Sequence, residues 1–372
     1  MQARYLALSP YNLVRIILGE RTPADNSTDN VYTRAAGLLE GWIACGILAP
    51  DPEPSLFAYF QEFTEPDTGE RLIRKGFIAL GALEDYAAGV VHRHEQTLAG
   101  PKKDRLELLR HIRAHAEQLF LLYPDPEGVI DALLDQAAQA DPLGEVTDEY
   151  GAVHRLWRIA AVGPVQQHMA AKKLIIADGH HRYETALAFR DENPGLAGAD
   201  RAPMAFVNLH SPGLRILATH RLVNGVDASL FPASAAGDFQ IDEIDSPARL
   251  RAVWAAGGNR VAIGAAIGTR LYLLEERAPS GDLDVQVLHR ELLEKHLGID
   301  PAAVREEKHL RYVRGLEAAI GAARQGSAQI AFLLKPTSIR QVADISFGGG
   351  VMPQKSTDFY PKLLSGLTIY KF

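Results

Sequence analysis

The chain has 372 residues, 47% hydrophobic and 23% charged, the balance of a globular protein long enough for one large core or two smaller ones. A formal charge of −7 argues against general nucleic-acid binding, which draws on a basic face. The lone Cys45 excludes an internal disulfide and a cysteine-ligated metal, and no run approaches the ~20 apolar residues of a membrane helix, so a cytoplasmic protein without membrane partners is expected.

In chain order, Val31, Ala35, Leu38, Leu39, Trp42 and Ile43 recur at helical spacing, with Gly46 as a stop and Cys45 read as a small buried hydrophobe. Leu56 to Phe63 and Leu72 to Leu80 read as a strand pair, with Pro66, Asp67 and Gly69 as turn formers. A charged helix from Lys103 to Glu117, a strand from Leu119 to Tyr123 and a helix from Pro126 to Ala140 follow. The polar stretch Asp141 to Gly151 is taken as a boundary.

Beyond it, His154 to Ile159, Lys173 to Ala177, Ala205 to His210 and Leu214 to Val223 read as strands, with helices over Val165 to Ala171 and His181 to Asn193. This alternation favours an α/β layer arrangement. The last third carries a strand pair turning at Gly268, helices over Val285 to His296 and Gly315 to Arg324, a strand from Gln329 to Leu334, and a basic, hydroxyl-rich tail. Three regions are expected: 1–145 (α+β), 146–225 (α/β core) and 226–372 (α+β with the tail).

The segment Asp178-Gly179-His180-His181-Arg182-Tyr183-Glu184 is the first site candidate. It joins an apolar strand to a periodic helix, where free backbone N–H groups and the helix dipole attract anions. Gly179 permits close approach, Arg182 suits phosphate oxygens, and His180 or His181 suits proton transfer. Asp178 would cap the helix, hold magnesium through water or act as a base. The residues alone fit equally an N-cap aspartate followed by surface histidines.

Lys355-Ser356-Thr357 with Lys362 is the second candidate, for a second phosphate or an acidic group, against a solvated basic tail. It is not a P-loop, because Gln354 stands where glycine belongs. His220-Arg221 closes a strand and either faces the cradle or packs. His92 to Thr97, followed by Lys102, Lys103 and Arg105, lacks a zincin's second histidine, since Leu98 stands there. His111 and His115, four apart on the expected helix, have metal-ligand spacing but no third partner. His289 reads as an ordinary helix histidine. No glycine-rich fingerprint for NAD and no Gly-x-Ser-x-Gly elbow is present.

Asp178 to Ala186, His154-Arg155-Leu156-Trp157-Arg158, Pro212-Gly213-Leu214 and Thr219-His220-Arg221 together resemble an uncharacterised prokaryotic family, domain of unknown function 1015. So do His94-Glu95, Thr97, Lys102, and the tail Met352-Pro353-Gln354-Lys355-Ser356-Thr357, Phe359-Tyr360-Pro361-Lys362 and Ser365-Gly366-Leu367. On these motifs the chain is identified as a member. Members of the family normally begin several tens of residues earlier, with a Pro-Pro-Tyr-Asp-Val-like motif, and Ser9-Pro10-Tyr11-Asn12 matches the stretch after it. A true loss and a mis-assigned start both account for this, and a loss would leave the site altered.

The Asp-Gly-His-His-Arg element resembles the glycine-x-x-arginine signature of the ParB and sulfiredoxin-like superfamily, which includes nucleotide-dependent partition proteins and kinases of free serine. The resemblance implies a mixed α/β, ParB/sulfiredoxin-like nucleotide-binding core with an additional α+β C-terminal region. Asp178, His180, His181 and Glu184 are the expected catalytic groups. Gly179, Arg182, His220, Arg221, Lys355, Ser356, Thr357 and Lys362 are the expected ligand-binding groups. ATP or ADP with Mg2+ is the expected cofactor and a phosphate-bearing small molecule the expected partner. Serine-type kinase activity leads, with a phosphatase of phosphoserine or a ParB-like switch without turnover as alternatives. A DNA-binding switch calls for a basic helix-turn-helix, and none is found.

Overall fold

The computed structural model describes residues 2–95, 100–257 and 260–372. Thr97 therefore lies outside the described residues. The chain forms two compact units, one made of residues 1–65, 69–214 and 361–372, the other of residues 66–68 and 215–360. It is a mixed α/β protein with a large mixed sheet in the first unit and an antiparallel sheet in the second. Among the described residues no helix is long and apolar enough to cross a membrane.

The first unit is built on eight strands in the spatial order Val91–His92, Leu174–Asp178, Leu119–Tyr123, Arg201–Asn208, Arg71–Ala82, Leu56–Thr64, Val153–Ile159 and Gly144–Thr147. Leu119–Tyr123 runs parallel to Arg201–Asn208 and antiparallel to Leu174–Asp178. All five of its residues are buried, which explains a continuous apolar run in place of alternation. The boundary expected at 145/146 falls inside this sheet, because Gly144–Thr147 pairs with Val153–Ile159. Its Asp and Gly residues turn a hairpin there rather than link domains.

The helix Val31–Ala44 is capped by Asn30, whose side chain accepts from the N–H groups of Tyr32 and Thr33 while the Thr33 hydroxyl accepts from Asn30 N–H. It buries Val31, Ala35, Leu39 and Trp42. Cys45 is exposed, against expectation, because it is the C-cap residue and has left the apolar stripe. The charged helix is also shorter than expected. It ends at Ile112, so His111 stays on it while His115 belongs to a strand, Ala114–His115, that pairs with Tyr370–Lys371. The two histidines do not share a helix face.

The second unit is a six-stranded antiparallel sheet ordered Phe239–Ile244, Arg270–Glu276, Ala262–Ile267, Ile330–Leu333, Thr219–Val223 and Leu310–Arg314. Alternate residues feed two cores. Ile263, Ala265, Tyr272, Leu274, Ile330 and Phe332 pack on one side, and Ala262, Ala266, Leu271, Leu273, Ala331 and Leu333 on the other. The single strand expected from Leu214 to Val223 is broken. Arg215–Ile216 pairs with Phe359–Tyr360, and Thr219–Val223 joins the large sheet. The 225/226 boundary thus lies within this unit.

Candidate functional site

The apolar strand Leu174–Asp178 delivers the chain to Gly179, which has φ of +96° and is the N-cap of a 13-residue helix, His180–Glu192. That left-handed angle suits glycine. A Cβ here would lie 3.0 Å from the Arg182 guanidinium and 3.1 Å from Leu119. No side chain caps the helix, so its first-turn N–H groups face outward from an electropositive end. The aspartate cap allowed by the sequence is not what forms, since Asp178 precedes the cap and its carboxylate turns to cations.

Asp178 Oδ2 lies 3.0 Å from Arg182 Nη2, and Oδ1 lies 3.6 Å from Lys362 Nζ. Its partial burial works against the charged form, but Lys362 and Arg182 outweigh that and hold the carboxyl below the usual range. Arg182 Nη1 also donates to the Gln118 carbonyl at 2.6 Å, so the guanidinium is fixed across the mouth of the turn. Glu184 is ion-paired with Lys102. Asp178, Gly179, His180, His181, Arg182, Glu184 and Lys362 all belong to the first unit.

His94, part of the His92 to Thr97 candidate and of the family pattern, is fully buried beside the cradle. Its Nδ1 lies 2.6 Å from the Ile176 carbonyl, which assigns the proton of the neutral ring to Nδ1. Its ring meets the His180 ring edge-on, centroids 4.7 Å apart. Burial pushes His94 down to about 4. Burial, then the neighbouring His94, pushes His180 well below the ordinary histidine range. Both are neutral at neutral pH and are proton acceptors rather than charges. His180 Nε2 is buried without a hydrogen-bond partner among the described residues.

Arg74 gave no signal in the sequence. It is fully buried, donates to Gln61 Oε1 at 2.9 Å and to the Pro361 carbonyl at 2.5 Å, and lies 4.6 Å over the Phe120 ring. Burial lowers it to about 10, so it stays cationic, and the field of Asp178 supports that charge. Arg182 and Lys362 thus flank the Asp178 carboxylate, with the buried charge of Arg74 within its field.

The remaining candidates gather in the second unit. His220 Nδ1 accepts the Leu334 N–H at 3.2 Å, a packing role. Arg221 Nη2 donates to the Lys355 carbonyl at 2.9 Å. Ser356 is buried and donates to the Pro353 carbonyl at 2.6 Å. Lys355 is exposed with φ of +59°, and Thr357 is half-buried. The tail motif is thus divided, with Lys362 beside the cradle and Lys355 to Thr357 in the other unit.

No curated protein matches the sequence. Among solved structures, a conserved hypothetical protein from Pyrococcus furiosus is similar over 77% of this chain and 93% of its own, at 15% identity and a TM-score of 0.42. Free serine kinase in complex with AMP is similar over 76% of this chain and 86% of its own, at 14% identity and a TM-score of 0.43. SbnI with C-terminal truncation from Staphylococcus aureus is similar over 77% and 85%, at 10% identity and a TM-score of 0.41. The family model described as protein of unknown function (DUF1015) matches residues 1–292, most of the chain, and the chain belongs to that family.

Proposed function

We propose that the cradle binds the phosphate of a nucleotide or a small phosphorylated metabolite, and that the protein transfers a phosphoryl group as a serine-type small-molecule kinase. The observation that carries this reading is the helix start itself. A left-handed Gly179 opens an uncapped 13-residue helix, with Arg182 and Lys362 turned toward Asp178 beside it. Donors fixed before the ligand arrives stabilise spreading phosphoryl charge without reorganising. The serine-type substrate rests on the resemblance of Asp178 to Arg182 to the superfamily that includes free-serine kinases.

In the transfer, the terminal P–O bond of ATP breaks as the substrate hydroxyl oxygen bonds to phosphorus, and ADP leaves with the bridging oxygen. The hydroxyl proton passes to a neutral imidazole. His180 is the candidate acceptor, because its Nε2 is buried and unpartnered among the described residues. The open turn at Gly179 fits a phosphate. Mg2+ would arrive with the nucleotide, with Asp178 or Glu184 as the carboxylate near it.

Calorimetric titration with ATP, ADP, CTP and phosphoserine in the presence of magnesium tests the reading. At least one is expected to bind, and Arg182→Ala to weaken it by roughly ten- to a hundredfold, the value of a charged hydrogen bond of about 1.5–3 kcal/mol. No heat from any of the four overturns it. Phosphoserine formed from ATP and serine marks a kinase, phosphate released from phosphoserine a phosphatase, and binding without product a switch.

A further inference from the structure

Two family motifs that the cradle leaves unused, Thr219-His220-Arg221 and Lys355-Ser356-Thr357, meet at one end of the second unit's sheet. Thr219–Val223 and Ile330–Leu333 are antiparallel neighbours, with Arg221 opposite Phe332. The start of the first strand and the exit of the second therefore coincide. Thr219, Arg221, Asp284, Lys335, Thr337 and Ser356 line a narrow cleft there.

The polar chemistry of that cleft is incomplete. Asp284 is 8% exposed, and its Oδ2 has no hydrogen-bond partner among the described residues. Its Oδ1 lies 3.4 Å from Lys335 Nζ, a loose pair for a buried carboxylate. Burial raises Asp284 to about 6, with Lys335 opposing. Arg221 is 1% exposed, its guanidinium fixed by the Thr219 and Lys355 carbonyls and 5.4 Å from the Tyr312 ring. Its donors thus hold it as a stationary positive charge. Ser356 and Thr337, both lining the cleft, donate to the Pro353 and Ser356 carbonyls, which leaves their hydroxyl oxygens with acceptor capacity. A buried carboxylate oxygen left unsatisfied is unfavourable by about 1–3 kcal/mol or more, and such a group lining a cleft marks a place for a ligand.

We infer that this cleft is a second small-molecule site that takes a small monocarboxylate with a hydroxyl or ammonium group beside the carboxylate. The carboxylate lies at Lys335 in the field of Arg221, and the neighbouring donor completes Asp284 Oδ2. Two cations and one carboxylate line the cleft, and Glu276 is near enough to act on Asp284, so a hydroxy acid (net −1) and a zwitterionic amino acid both match its charge. A divalent metal is disfavoured beside two cations. The inference does not rest on phosphate binding at the cradle.

The test is thermal shift and calorimetry on the full chain with four probes, D-glycerate, L-serine, propionate and ethanolamine. Glycerate, or serine, is expected to bind, and propionate and ethanolamine at least tenfold more weakly because each lacks half of the pattern. Asp284→Asn and Lys335→Met, each first shown to unfold cooperatively, are expected to lose at least tenfold. Arg182→Ala is expected to leave this binding unchanged, and Asp284→Asn to leave phosphate binding unchanged, so this site and the cradle fail separately. Serine binding counts for the cleft only where Asp284→Asn removes it and Arg182→Ala keeps it; on that reading glycerate binding with serine silent identifies a hydroxy-acid site, and the reverse an amino-acid site. Silence for both, equal binding of propionate, or full binding by both cleft variants overturns the inference.

Discussion

Asp178 stands in the resting protein where an incoming anion has to compete. Its carboxylate holds Arg182 at 3.0 Å and Lys362 at 3.6 Å, with the side chain 42% exposed. Pairs at this exposure contribute about 0.2–1 kcal/mol. Asp178→Asn releases both cations to a ligand, so inorganic phosphate is expected to bind roughly two- to fivefold tighter. If the carboxylate also orients a hydroxyl or a magnesium ion, phosphoryl transfer in the same variant falls while binding improves. Titration with phosphate beside a turnover assay separates the two effects. Weaker phosphate binding in the variant would mean that Asp178 supports the anion rather than competing with it.

At the scale of elements, two glycines do different work. Gly179→Ala places a Cβ in a left-handed turn, with a strain of about 1–2 kcal/mol, and against the Arg182 guanidinium at 3.0 Å. Arg182 and the Leu119 side chain, at 3.1 Å, each have to give by a few tenths of an ångström, both being side chains rather than backbone, so the expected result is a folded protein with weakened phosphate binding. Gly213 allows no such escape. A Cβ there would lie 2.1 Å from the Ile73 carbonyl oxygen and 2.5 Å from the Arg74 nitrogen, both backbone. Gly213→Ala is therefore expected to lower stability by about 1–3 kcal/mol or more, read as a shifted urea midpoint. An unchanged midpoint would show that the segment moves freely. The strand-to-helix turn was legible in the sequence because its parts are consecutive, from Leu174 through Arg182. Arg74 was not, because its strand inverts the usual rule: Ile73 is 46% exposed and Arg74 is buried. A buried arginine reads as a solvent-facing residue until its distant partners, Gln61 and Pro361, are in place. Gly144–Thr147 was missed for a related reason, since every residue of this edge strand is exposed and no apolar alternation marks it.

At the scale of the whole molecule, the division of the tail could not be read from a contiguous motif, because Lys355 and Lys362 are close in sequence yet belong to different units. Charge behaviour also has to be summed over each unit. Burial leads in lowering six histidines below their ordinary value. His94 and His115 fall to about 4, with His154 and His180 also lowered, in the first unit; His220 falls to about 4 and His289 to about 3 in the second. In the unfolded chain these imidazoles titrate near 6.5. Between pH ~6.5 and ~4 the unfolded state thus binds protons that the folded state refuses, and stability falls as pH falls, by up to about 1.4 kcal/mol per unit for each histidine. Asp131 in the first unit and Asp284 in the second oppose this, because burial raises both and the folded state binds their protons first. Four histidines against one carboxylate in the first unit, and two against one in the second, make the first unit the more acid-sensitive. Calorimetric melting between pH 7.5 and 5 is expected to show a falling Tm. Amide exchange at pH 5 is expected to show protection lost first in the sheet around Leu119–Tyr123 and last in the sheet around Ile330–Leu333. A Tm that stays level over this range, or earlier opening of the second sheet, would mean that the buried histidines do not control acid stability.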